Sequence, residues 1–262
     1  MLHLLPIQRR QRITDFLRHQ GAATLSHLAT ALHVSLSTLR RDLDQLAEEG
    51  VVERIHGGAV LRSPIQNATG PYFNAARELF QKEKALIGAA AAAQLQADQT
   101  VIFDSGSTVL EAAKAVVARR LPLHAVTNSL EIAEVLNSSP EVRVHVFGGK
   151  LHQGTPTLVG EAVQAAAQNI RTDVLLIGAH AVTEQMISAT SPEIAAVKQA
   201  FIRAAQQRIL LVDGSKFRPR VFMSVGTLAD IDQIITDEGA PRHEQERIRS
   251  CGITLTVARN DS

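Results

Sequence analysis

Residues 34–43 read Val34-Ser35-Leu36-Ser37-Thr38-Leu39-Arg40-Arg41-Asp42-Leu43, and the fold of the N-terminal part of the chain turns on this stretch. The Ser35 hydroxyl can accept from a free backbone N–H of a first helical turn, so the serine reads as a helix cap. Leu39, Leu43 and Leu46 then recur at i, i+4 and i+7 as one apolar stripe. At about 100° per residue, Ser37, Thr38, Arg41 and Gln45 point the other way, with Arg40 on the flank. A helix with a leucine face and an opposite face of hydroxyls and arginine follows.

Upstream, Thr24 can cap a short helix whose Leu25, Leu28, Ala29 and Leu32 share a face, and His33-Val34 link it to the next helix. Earlier still, Ile13, Phe16 and Leu17 mark an amphipathic first helix, with Arg9, Arg10, Arg12 and Arg18 on other faces and Gly21 closing it. Downstream, Gly50 ends the third helix. Val51 to Ile55, Gly57-Gly58 and Ala59 to Leu61 read as two short strands around a tight turn. Three helices and a hairpin over residues 1–61 describe a winged helix-turn-helix. In that order the third helix can enter a major groove, with Arg41 at guanine acceptors and Arg40 at a phosphate. Pattern alone also allows an ordinary helical hairpin with a solvated polar face. Asp42 reads as a structural residue paired with a neighbouring arginine, because a carboxylate beside phosphates is repelled.

The 262-residue length suits a small domain joined to a medium one. A hydrophobic fraction of 45% with a net charge of +1 indicates folded, soluble domains and gives no bulk attraction to nucleic acid. A single cysteine, Cys251, excludes intrachain disulfides and thiolate metal clusters. The apolar runs are too short for a bilayer span and no secretion signal is read, so a cytoplasmic location is expected.

Residues 62–83, with Pro64, Asn67, Gly70 and Pro71, read as a linker. Over residues 84–262, strands are expected at Val101-Phe103, Leu123-Val126, Val142-Phe147, Val174-Ile177 and Ile209-Val212. Helices are expected at Val109-Ala118, Leu130-Asn137 and Pro192-Gln206, the last capped by Ser191. Alternation of this kind predicts a Rossmann-like α/β unit with a parallel sheet, whose ligands bind beyond the carboxyl ends of the strands. Four loops lie there. Asp104, Ser105, Gly106, Ser107 and Thr108 open a helix and can cradle a phosphate, with Asp104 holding the loop or accepting a sugar hydroxyl. Thr127, Asn128 and Ser129 offer short polar groups, Gly148 and Gly149 allow close backbone approach beside Lys150, and Asp213 precedes Lys216.

The run from Val34 to Leu43, followed by Leu46, Gly50 and Arg54-Ile55-His56-Gly57-Gly58-Ala59, closely resembles the DNA-binding signature of the DeoR family. That resemblance completes a DNA-contact set of Ser35, Ser37, Thr38, Arg40, Arg41 and His56. The four loops, in the same order, look like the DeoR-type sensor domain, itself similar to ribose-5-phosphate isomerases and glucosamine-6-phosphate deaminases. It implies a phosphorylated sugar or related metabolite as effector, a repressor usually released from DNA when the effector binds, and Glu193 and Lys198 as further members of the effector set. The sequence departs from the pattern in three places: Ala181 stands near a usual second glycine, Glu193 is a single carboxylate before Lys198, and Arg218 replaces a glycine after Ser215-Lys216-Phe217.

An isomerase or deaminase acting on a sugar phosphate is the competing reading, with Glu193, Asp104, Lys198 and Lys216 as possible acid-base groups. None stands in a context that marks it as catalytic, so a regulator is expected. A third reading makes the C-terminal half an oligomerisation module. One small winged domain reads few base pairs, so a homo-oligomer, dimer or tetramer, on an operator of repeated half-sites is expected. His56, His124, His145, His152 and His180 show no metal-ligand spacing, Cys251 is expected to be buried packing, and no metal or cofactor is expected.

Overall fold

The computed structural model describes residues 5–20, 22–55, 58–61, 80–183, 185–218 and 223–259. Contacts divide the chain into two units, Met1–Gln66 and Asn67–Ser262. The N-terminal unit runs α1 (Pro6–Gln20), β1 (Ala22–Thr24), α2 (Leu25–Leu32), α3 (Leu36–Glu48), β2 (Val52–Ile55) and β3 (Gly58–Leu61). Ser35 caps α3 as expected, its Oγ accepting from the Thr38 N–H at 3.2 Å. Ile13, Leu17, Leu28, Leu39, Leu43 and Leu46 form the core. Full burial of such a side chain contributes about 1.5 to 3 kcal/mol, so the stripe read from the sequence is also what holds the three helices together. β2 and β3 pair antiparallel as the wing. The strand β1 was not expected: it pairs antiparallel with β3, Ala23 opposite Ala59, and takes up Thr24, which the sequence suggested as a cap. Three residues are too few to show a period of two.

The second unit contains α4 (Gln81–Gln94), β4 (Thr100–Phe103), α5 (Ser107–Ala118), β5 (Leu123–Thr127), α6 (Leu130–Asn137), β6 (Val142–Val146), β7 (Lys150–Leu151), β8 (Leu158–Val159), α7 (Glu161–Gln168) and β9 (Thr172–Gly178). It continues with β10 (Ala181–Val182), β11 (Met186–Ala189), α8 (Pro192–Ala204), β12 (Ala205–Leu211), β13 (Met223–Thr227), β14 (Gln233–Asp237), α9 (Arg242–Ser250) and β15 (Thr254–Ala258). Seven strands form one parallel sheet in the order β15-β14-β12-β9-β4-β5-β6. Alternation along the strands feeds two cores. Ile102, Leu175, Ile177 and Leu210 pack on one face with Phe147, Val163 and Phe201. Val101, Phe103, Val174, Leu176, Ile209 and Leu211 pack on the other with Ile87, Val109, Val116 and Ile132. Helices therefore cover both faces, as a parallel sheet requires.

All five expected strands and three expected helices are present, the helix Leu130–Asn137 with the expected ends and the others with shifted ones. The last of those helices stops at Ala204 rather than Gln206, because Ala205 enters β12 directly. Helix α4 begins at Gln81, inside the span read as linker. A small antiparallel sheet, β10-β11-β13, and the β7-β8 pair were not expected: β7, β8 and β10 have two residues each, which leaves no pattern, and β11 and β13 have only four and five. Cys251 is exposed, correcting its assignment to buried packing. It lies in the turn after α9, where its N–H donates to Arg247 O, and the chain reverses at the surface before β15.

Strand order reverses between β4 and β9. From β4 the chain proceeds to β5 and β6 on one side, and from β9 to β12, β14 and β15 on the other. A crevice at the carboxyl ends of these two strands is where such sheets bind ligands.

Candidate functional site

On the N-terminal unit, α3 exposes Ser37, Arg40, Arg41 and Gln45, with Ser35 exposed beside them and Thr38 half-buried. Ser35 Oγ lies 3.0 Å from Ser37 Oγ and 2.8 Å from Thr38 Oγ1, so capping draws the expected hydroxyls into one cluster at the start of the helix. His56 lies outside the described residues. Asp42 is paired with an arginine, but with Arg9 of α1 rather than a neighbour in sequence. The helical period explains the correction: Asp42 falls on the side of Leu39 and Leu46, away from Arg40 and Arg41.

On the second unit, Asp104 directly follows β4 at the switch point and is 1% exposed. Its carboxylate accepts from the Gly178 N–H at 3.1 Å and is paired with Lys198 of α8, whose ammonium also donates to Gly178 O at 2.9 Å. The pair thus ties β4 to β9 at the switch point. Ser105 and Gly106 follow, both half-buried, and Gly106 has φ +146°, a backbone that side-chain-bearing residues rarely adopt. Helix α5 then starts at Ser107 and Thr108 with no side-chain cap. Its N-terminal dipole faces the loop where an anion is favoured.

A cationic group gathers around this point. Lys216 follows Asp213 in a 3-10 turn, its Nζ 4.0 Å from Asp213 Oδ2, and partial burial pushes its ammonium pKa down. Arg218 donates to His180 O at 3.0 Å, and His180 feels Lys216, Lys198 and Arg218 together. Lys84 of α4, 2% exposed, has its pKa lowered to about 8 by burial and then by Lys216, against the pull of Asp213. In the sequence, Lys84 carries no mark of a site, His180 is one of the histidines without metal-ligand spacing, and Arg218 is a departure from the family pattern. Lys84 lies in the charged stretch Gln81-Lys82-Glu83-Lys84, which reads as a solvated helix start, and a lone histidine carries no spacing signal.

The remaining expected residues are distributed unevenly. Thr127 Oγ1 donates to Phe103 O at 2.7 Å, and Ser129 Oγ caps α6 by accepting from Ile132 N at 3.4 Å, so both hydroxyls have local work. Asn128 Nδ2 donates to Leu158 O at 2.9 Å. Gly148 is exposed, and a Cβ on Gly149 would sit 2.8 Å from Val159 O, so Gly149 admits close packing of β8. Glu193 pairs with Lys150 at 3.0 Å on the surface. Among the described residues, Asp104 Oδ1, Asn128 Oδ1 and Asp213 Oδ2 are buried acceptors with no donor. The site can therefore take negative charge and hydroxyl donors at once.

Burial, reinforced by Lys216, Lys198 and Arg218, lowers the His180 pKa from 6.5 to about 3. Between those values the unfolded chain binds the extra proton, so stability is expected to fall as pH drops from about 6.5 towards 3. Denaturation midpoints from about pH 7 to 4 check this, with His180→Gln expected to flatten that part of the profile. Identical slopes would remove His180 from the account.

Residues 9–64 match the family model described as the DeoR-like helix-turn-helix domain, and residues 80–238 match the DeoR C terminal sensor domain. The chain belongs to the DeoR family. This DeoR-family chain is 31% identical over 254 residues to the HTH-type transcriptional repressor GlcR of Bacillus subtilis, covering 97% of each. It is 30% identical over 241 residues to the lactose phosphotransferase system repressor of Lactococcus lactis subsp. lactis, covering 91% of this chain and 94% of that one. A ribose 5-phosphate isomerase from Methanocaldococcus jannaschii is 14% identical over 53% of this chain and 55% of its own, with a TM-score of 0.39. The family makes the chain a DNA-binding transcriptional regulator rather than a sugar-phosphate isomerase or deaminase. Among the described residues, no helix is long and apolar enough to cross a membrane and no cluster could hold a metal ion.

Proposed function

We propose that the chain is a repressor of carbohydrate-metabolism genes, that the exposed face of α3 contacts its operator, and that a phosphorylated sugar at the β4–β9 switch point controls it. The carrying observation is that Lys198 is paired with Asp104, Lys216 Nζ stands 4.0 Å from Asp213 and Arg218 reaches the His180 carbonyl at 3.0 Å, with Asp104 Oδ1 and Asp213 Oδ2 left as buried acceptors. Cations and the N-terminus of α5 suit a phosphate, and acceptors short of donors suit sugar hydroxyls. Lys198 already has Asp104 as its partner and Lys216 stands 4.0 Å from Asp213, so a neutral sugar would draw only on hydroxyl contacts, whereas a phosphate would also use Lys216, Arg218 and the N-terminus of α5. The sugar-related name of the lactococcal repressor agrees with this class of effector. The protein acts in the cytoplasm as a homo-oligomer, since one winged domain reads too few base pairs for selectivity.

Lys216→Ala tests the reading. It removes a charge-assisted contact worth roughly 1.5 to 3 kcal/mol, so effector affinity should weaken about tenfold or more while effector-free DNA binding barely changes. Hexose and pentose phosphates, with their unphosphorylated sugars as controls, are titrated into both proteins with operator binding as readout. Equal responses in wild type and variant, or a preference for the unphosphorylated sugar, would overturn the assignment.

A further inference from the structure

We propose that the Arg9–Asp42 ion pair is a register pin that sets how α3 presents its reading face, making both residues positioning residues for DNA discrimination. The inference rests on the reading that α3 contacts DNA. On α1, Arg9 lines up with Ile13, Phe16 and Leu17 along the inward side, and on α3 Asp42 lines up with Leu39, Leu43 and Leu46. Each inward stripe thus contains a charged residue, and the two meet. The contact is a two-point fork: Arg9 Nε reaches Asp42 Oδ2, and Nη2 reaches Oδ1 at 2.9 Å. The side chains are 15% and 4% exposed.

Leucine contacts are non-directional, so an apolar stripe tolerates sliding and rotation of one helix on another. A guanidinium–carboxylate fork does not, because both hydrogen bonds hold in only one relative placement. Rotating α3 by one residue would carry Asp42 away from Arg9 and move Arg40 and Arg41 off their outward positions. Replacing such a pair with apolar groups often leaves stability unchanged, so the pin's effect lies in choosing among packings. Asp42 also belongs inside on electrostatic grounds, since at the DNA surface it would repel phosphate.

The double variant Arg9→Met/Asp42→Leu removes the fork and leaves net charge unaltered, so long-range attraction to DNA is preserved. Full-length wild type, the double variant, Arg9→Lys and Arg41→Ala are compared on a duplex enriched by wild type from a randomised library and on sonicated calf-thymus DNA. Denaturation curves accompany the binding. The double variant is expected to match or exceed wild-type stability and hold calf-thymus DNA within about twofold, while the ratio of specific to non-specific affinity falls about tenfold. Arg9→Lys keeps the charge without the fork and is expected to lose discrimination too, which gives a second route should the double variant fail to fold. Wild-type discrimination in the double variant or in Arg9→Lys, with Arg41→Ala impaired, overturns the pin. Wild-type discrimination in Arg41→Ala instead overturns the reading of α3 itself.

Discussion

Lys198→Met should destabilise the sensor unit by about 3 to 5 kcal/mol, although methionine nearly matches the length of the lysine and the site is buried. The reason is the group left behind. Asp104 is 1% exposed, and its second oxygen already lacks a donor among the described residues. Without the ammonium, the carboxylate keeps only the Gly178 N–H, and Gly178 O loses the Lys198 donor. A buried unpaired charge costs far more than the pair is worth, and the loss is a large share of the about 5 to 15 kcal/mol that stabilises a domain. Adding Asp104→Asn to Lys198→Met should recover much of the loss, because the charge goes with its partner. Urea denaturation of wild type, single and double variants measures this. A single variant within about 1 kcal/mol of wild type would mean that water reaches Asp104 and that the pair does not clamp β4 to β9.

Lys84→Met should do the opposite and stabilise the protein. Burial, then Lys216, lower the Lys84 pKa from 10.5 to about 8 in spite of Asp213, Glu111 and Glu83. That descent corresponds to about 3 kcal/mol of destabilisation at neutral pH. The sign follows from linkage: between pH 8 and 10.5 the unfolded chain holds the proton that the folded chain has released, so wild-type stability from this residue rises with pH. The advantage of Lys84→Met is therefore expected to be full at pH 7 and to close towards pH 10.5. Denaturation midpoints of both proteins across that range test it, and a variant less stable than wild type at pH 7 would refute it. Under the proposed function the cost has a purpose. An anion beside Lys216 and Lys84 offsets their mutual repulsion, and stability given up at a site is commonly recovered when ligand binds.

The winged unit was legible because its signals are local. A capping serine, leucines at helical spacing and paired glycines act within a few residues of one another, so α1, α2, α3 and the β2–β3 wing follow from the sequence. The parallel sheet was legible for the same reason: buried strands are short apolar runs bounded by turn residues. Glycine- and hydroxyl-bearing loops at their ends marked the region of Asp104 to Thr108 and of Asp213 to Lys216. By itself, then, the sequence determined the helices and hairpin of the first unit, the exposed polar face of α3 and the parallel strands of the second, while the roles proposed for that face and for the strand-end loops rest on the proposed function.

Only the tertiary structure decided which charges meet. Arg9 and Asp42 are 33 residues apart, and Asp104 and Lys198 are 94 apart. Periodicity assigns each to a face but carries no information on what that face touches. The same limit hid Lys84 and His180, whose perturbed proton affinities arise from burial and from cations supplied by other elements. It also gave no sign that the hydroxyls of Thr127 and Ser129 bond to the Phe103 carbonyl and cap α6. Strand order, and with it the β4–β9 switch point, depends on which chain segments become neighbours across the sheet. Backbone and side-chain propensities act over a turn or two, whereas electrostatics and burial act between whatever the folded chain brings together.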